Sequence, residues 1–154
     1  MHTMTEEFVI QSDLALLPLV EERLVVFCGG CNVGDYHAAV SVAAMQAVEN
    51  AIVHGNNCDP GKEVRVECGT CKGGVYVEVS DQGRGFDHAR FGSLPESALE
   101  SGEGIFVMHR LADKVEYSDG GRRVRMEFMM RGIDPELSSS RVAVLRRAMP
   151  KVEA

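Results

Sequence analysis

The stretch AAMQAVENAIVHGNN, residues 43–57, decides how the chain is read. It sits in DYHAAVSVAAMQAVENAIVHGN, an Ala-rich run that predicts a helix, stopped by Gly55 and the turn-forming NNCDPG. Gln46 and Asn50, four residues apart, share one face of that helix. Glu49 lies roughly on the face of Gln46 and ~100° around the axis from Asn50. The amide oxygen of Asn50 is a ligand type that Mg²⁺ accepts, since that ion prefers oxygen donors. The Gln46 amide can orient a nucleophile by hydrogen bonding but cannot take a proton near neutral pH.

Working outward, EEFVIQS predicts a first strand, and DLALLPLVEERLVVF a helix with Asp13 as its cap despite Pro18. CGGCNVGD is expected to break that helix. In KEVRVECGTCKGGVYVEVSD, the alternating runs EVRVE and VYVEVS flank a Gly-rich connection and predict an antiparallel hairpin. DQGRGFDHARFGSLPESALESGEG is too long for a simple connector and reads as a functional loop or lid. GIFVMHRLADKVEY predicts a third helix running into a strand, and SDGGRRVRMEFMM a second hairpin with DGG at the turn. The tail IDPELSSSRVAVLRRAMPKVEA carries a final short helix. Helices and a mostly antiparallel sheet in this order predict an α/β fold, a two-layer α/β sandwich with helices on one face of the sheet. The expected division is a domain over residues 1–133 and a helical tail over 134–154.

The bulk numbers exclude several classes. A chain of 154 residues, 45% hydrophobic and 25% charged, has the composition of a globular domain. Its net charge of −7 argues against nucleic-acid binding, which needs a basic face. The basic residues near the end, in GRRVRMEF and RVAVLRRAMPK, read as a solvated helix face before a docking surface. No apolar run approaches the ~20 residues needed to span a bilayer. MHTMTEEF has neither a basic leader nor an apolar core, so a cytoplasmic location is expected.

Three segments can act together. The helix carries Gln46, Glu49 and Asn50. In D81-Q-G-R-G-F86 a strand ends in a carboxylate and two glycines, and in G102-E-G-I-F-V107 two glycines open a helix. A carboxylate at a strand end can accept a hydrogen bond from the exocyclic amine of adenine. Gly83 and Gly85 let the backbone pass close to a purine. Gly102 and Gly104 at a helix start expose N–H groups and the positive dipole end to phosphates. Each element alone is commonplace; their order within about sixty residues carries the weight.

In that order the sequence resembles the GHKL ATP-binding fold of histidine kinases, type II topoisomerases and Hsp90. It is most similar to the small anti-sigma-factor serine kinases of bacterial partner-switching systems. NAIVHGN matches the N-box, VSDQGRGFD the first glycine box and GEGIFVMHRLADKVEY the second, so the resemblance spans roughly residues 6–131. It implies ATP and Mg²⁺ as cofactors, with a sigma factor and a STAS-domain anti-anti-sigma protein as partners, the latter phosphorylated on serine. It also implies a homodimer, since such kinases are often dimers. Carried over, Asn50 would hold Mg²⁺, Asp81 would read adenine, Gly83 and Gly85 would line the base, and Gly102 and Gly104 would hinge the lid and meet the phosphates.

The departure is Gln46, where the family usually keeps a glutamate that polarises the attacking group. General-base help is worth roughly 10²–10⁴-fold, whereas phosphoryl transfer rests mostly on positioning and charge neutralisation. Two readings therefore stand: a kinase with Gln46 orienting the nucleophile and Glu49 as substitute base, or a nucleotide-gated binding module without the chemistry. Glu103 beside the phosphates is a second oddity. Arg84 and Arg90 are candidate cations for the γ-phosphate, and His54 is expected to pack near the helix end.

Four of the five cysteines form two C-x-x-C pairs, Cys28–Cys31 and Cys68–Cys71, with Cys58 apart. Both pairs are expected at the end of the domain opposite the nucleotide. There they make either a tetrahedral Cys₄ structural zinc site or four reduced thiols near Gly-rich turns.

Overall fold

The computed structural model describes residues 5–31, 36–84 and 108–130. Alternating sequence becomes alternating burial. Val64, Val66 and Cys68 of β2 (Glu63–Cys71) are buried on one face of a sheet. Val75, Val77 and Val79 of β3 (Gly74–Ser80) join them there. With β1 (Thr5–Gln11), β4 (Lys114–Ser118) and β5 (Arg123–Met129) these strands pair antiparallel in the order β1-β2-β3-β5-β4. Val124, Met126 and Phe128 of β5 complete the buried face.

Two helices cover that face. In α1 (Leu17–Gly30), Val20, Leu24, Phe27 and Cys28 are buried at helical spacing. Asp13 caps the short 3₁₀ turn Leu14–Leu16 that precedes α1, accepting from the Ala15 N–H at 2.9 Å. Pro18 falls in the first turn of α1, where an absent N–H costs nothing. In α2 (His37–Asn50), Ala39, Ala43, Ala44 and Ala47 are buried, and these small side chains let the helix lie close to α1 and β3. Residues 108–111 are helical, with Met108 and Leu111 in the core, and lead into β4 as expected.

The other face of the sheet is polar. Arg125 stacks its guanidinium 3.9 Å from the Tyr76 ring centre, and the Tyr76 hydroxyl donates to Glu67 Oε1 at 2.6 Å. Gly69 makes room for this ring: a Cβ there would stand 2.6 Å from it. Lys114 pairs with Glu116 along β4 and with Glu127 across to β5, and Arg125 pairs with Glu127 along β5, contacts near the surface that are each worth little in water.

Three expectations change. Helix α1 does not stop at Phe27 but runs through Gly29 and Gly30. Strand β2 does not end at Glu67; it continues through Cys71, and Lys72 and Gly73 (φ +86°) make the turn. The third concerns zinc. Positions 68 and 71 are three apart in a strand, so their side chains emerge on opposite faces. Cys68 points at the helices, close enough to Cys28 and Cys31 to feel them, while Cys71 shares the polar face with Glu127 and Arg125. Among the described residues no group of three or more His, Cys, Asp or Glu is arranged to hold a metal. The set Cys28, Cys31, Cys68 and Cys71 therefore makes no Cys₄ site; all are free thiols. Burial pushes the Cys28 thiol up to about 11 and the Cys68 thiol to about 12, the behaviour of core residues. The lid over 86–101 and the tail over 134–154 lie outside the described residues.

Candidate nucleotide site

Along the second half of α2 and its extension, Met45, Gln46, Glu49, Asn50, Val53 and His54 are short of full burial. Their spacing traces one helical stripe, with Ala44 and Ala51 on the far side; earlier along the helix the same stripe is buried at Ala39 and Ala43. Gln46, Glu49 and Asn50 thus share a half-open face. His54 is exposed, not packed at the helix end.

Beyond Asn50 the helix widens into a π-helical turn over Ala51–Gly55. The Asn56 N–H reaches back to the Ala51 carbonyl at 2.8 Å, and the Cys58 N–H to Ile52 at 2.8 Å. Such wide turns concentrate at functional sites. This one ends against the Asp81 carboxylate: a Cβ on Gly55 would stand 2.5 Å from its Cγ. Gly83 is seated as tightly, since a Cβ there would come 1.8 Å from the Gly55 carbonyl oxygen. The structure therefore brings the end of the Asn50 helix, Asp81 and Gly83 together. It does so through two glycines that admit no side chain.

Asp81 Oδ1 accepts from the Gly83 N–H at 2.8 Å. Burial pushes its carboxyl above the usual carboxylate range, opposed by that N–H and by the Arg122 and Lys62 charges. The residues on either side are fixed by a polar network. Asn56, fully buried, donates from Nδ2 to Ser12 Oγ (2.8 Å) and the Glu63 carbonyl (3.0 Å), and its Oδ1 accepts from the Gln82 N–H (2.8 Å). Gln82 Oε1 in turn accepts from the Glu63 N–H at 2.7 Å. From the other side Arg122 Nε donates to the Gly83 carbonyl at 2.8 Å.

This arrangement can hold a planar heterocycle whose edge bears a hydrogen-bond donor. It offers a fixed carboxylate, a glycine backbone seated tightly beside it, and an oxygen ligand on the adjoining helix. The residues fit an adenine nucleotide. Gly85, Gly102 and Gly104, with Glu103 and Arg90, lie outside the described residues; Arg84 is exposed. Asn56, Gln82, Ser12 and Arg122 were missed in the sequence. The paired asparagines of HGNN were the one signal for Asn56, and the basic run GRRVR gives no sign of which arginine turns back to the glycine segment.

No helix among the described residues is long and apolar enough to cross a membrane. Residues 10–128 match the family model described as "Histidine kinase-like ATPase domain". The chain is 36% identical over 101 residues to a protein named anti-sigma F factor from Clostridium perfringens, an alignment covering 59% of this chain and 71% of that one. An anti-sigma F factor from Clostridium botulinum is 31% identical over 103 residues, covering 60% and 71% respectively. On the match over most of its length, and on the sheet, helices and glycine-lined carboxylate that underlie it, the chain belongs to the histidine kinase-like ATPase family.

Proposed function

We propose that this protein binds ATP with Mg²⁺ and acts as an anti-sigma-factor serine-protein kinase, transferring the γ-phosphate to a serine of a STAS-domain partner and sequestering a sigma factor. The observation that carries the reading is the seat of Asp81. Its carboxylate is packed on Gly55, one turn past Asn50, with Oδ1 held by Gly83. In this reading Asp81 accepts from the adenine amine, and Gly83 and Gly85 face the base. Asn50 is the residue that would hold Mg²⁺, which when bound neutralises phosphate charge. Gly102 and Gly104 meet the phosphates. The anti-sigma names of the relatives support the partner assignment. A cytoplasmic location and a homodimer belong to the same proposal, as does the division into residues 1–133 and a helical tail over 134–154.

Gln46 and Glu49 divide the chemistry. Gln46 orients the attacking hydroxyl by its amide, and Glu49, on the same half-open stripe, is the carboxylate able to take the proton. The alternative is a nucleotide-gated binding module without transfer, and the amide at position 46 favours it. Transfer of labelled phosphate from ATP to STAS partners separates the two. A kinase with a relocated base transfers slowly and loses transfer in Glu49→Ala. Tight ATP binding with no transfer, restored by Gln46→Glu, would establish the gated module instead.

A further inference from the structure

We propose that Arg122 is a positioning residue for base recognition: it clamps the Asp81–Gly83 segment from the side opposite Asn56, and so sets the preference for a nucleotide bearing an exocyclic amine. This role rests on the ATP reading above and deepens it.

Arg122 holds both flanks of Asp81. Its carbonyl accepts from the Asp81 N–H at 2.9 Å, and its Nε donates to the Gly83 carbonyl at 2.8 Å. With the Gly83 N–H on Asp81 Oδ1, these bonds close a ring through Asp81, Gly83 and Arg122. A weaker bond runs from Nη2 to the Arg84 carbonyl at 3.5 Å. The guanidinium is itself anchored, Nη1 donating to the Asp119 carbonyl at 3.0 Å with the Asp119 carboxylate 3.6 Å away.

The hairpin that delivers it is strained. Asp119 (φ +52°), Gly120 (φ +66°) and Gly121 (φ +92°) are three consecutive left-handed residues, and an aspartate adopts that conformation at a cost. The turn sets Arg122 immediately before β5, from where its side chain reaches the Gly83 carbonyl. The opposite flank is secured by Asn56 through Gln82 and by the Gly55 contact. A carboxylate that must meet an amine at hydrogen-bond distance needs restraint on both sides, because an error of half an ångström forfeits much of the bond. The positive charge also favours the ionised, accepting form of Asp81 against its burial.

The test measures binding of ATP and of purine riboside triphosphate, which lacks the amine, to the full chain and to Arg122→Ala and Arg122→Lys. In Arg122→Ala, ATP affinity should fall about tenfold, the low end for a charge-assisted hydrogen bond, while the amine-free analogue changes less than about twofold. Arg122→Lys, with a single point donor, should be intermediate, and it carries the comparison if the alanine variant is unfolded. A merely structural arginine would lower both affinities in parallel, and that outcome, or no change in either, would overturn the role while leaving ATP binding intact. Native protein that binds neither nucleotide would overturn the ATP reading and this role with it. Amide exchange at Gly83 in nucleotide-free protein is the second readout: it should quicken in Arg122→Ala, and unchanged exchange would contradict the clamp.

Discussion

Replacing Asn56 with aspartate changes one atom in a fully buried network and should make stability depend on pH in a defined direction. Oδ1 of the new side chain can still accept from the Gln82 N–H. The second oxygen replaces a donor that served Ser12 Oγ and the Glu63 carbonyl. The Ser12 hydroxyl can swing round to donate, giving up the Lys62 carbonyl it now bonds at 2.7 Å; the Glu63 carbonyl cannot. Protonated, the carboxyl recovers one of the two donated bonds, leaving a deficit of about 1 kcal/mol. Ionised, it is a buried charge facing an acceptor, so its folded pKa rises above the unfolded value of about 3.9. For an acid shifted upward, the penalty is absent below the unfolded pKa and grows by about 1.4 kcal/mol per pH unit until the folded pKa is passed. A rise of about two units gives a total deficit of about 4 kcal/mol near neutrality, or roughly 10 °C in melting temperature. Urea unfolding of both proteins at steps between about pH 4.5 and 7.5 measures this difference. A deficit that stays flat across the range, or stays under about 1 kcal/mol at neutral pH, would refute the network as described.

The remaining predictions concern the site and the core. Gly83→Ala drives a Cβ to 1.8 Å from the Gly55 carbonyl, backbone against backbone, and should lower ATP affinity by more than about 100-fold in equilibrium binding. Gly55→Ala, whose Cβ meets the Asp81 carboxylate at 2.5 Å, should do the same while costing about 1–3 kcal/mol of stability in thermal unfolding. Cys71→Ser should be nearly silent, whereas Cys68→Ser places a hydroxyl among buried apolar groups and should cost about 1–3 kcal/mol. Chelator should leave the melting temperature unchanged, and metal analysis should find no stoichiometric zinc.

Much of the fold was legible because it rests on periodicity. Val64, Val66, Val77 and Val79 alternate as strands require, and the alanines of α2 repeat as a packed helix requires. What failed was boundaries and facing. Gly29 and Gly30 suggest a break, yet the helix runs through them, and a Cβ at Gly29 would meet open space. The Cys68–Cys71 spacing suggests a metal knuckle, but a knuckle needs a turn, and strand pairing carries β2 through both cysteines. Asp81 and Gly83 were proposed from their motif. Their tight seat on Gly55 was not, because that contact joins residues distant in sequence. The clamp by Arg122 was hidden for the same reason: the carbonyls of Gly83 and Arg84 that it bonds lie 39 and 38 residues away.

The central claim is an ATP site read by Asp81, and calorimetric titration of Mg·ATP into the native protein and into Asp81→Asn tests it most directly. The amide of asparagine turns a donor towards the adenine amine at one of its two positions and removes the charge. Saturable binding at one site per chain by the native protein, weakened at least about tenfold in Asp81→Asn, is the predicted result. Equal affinity in the two proteins, or no binding by the native one, would contradict it.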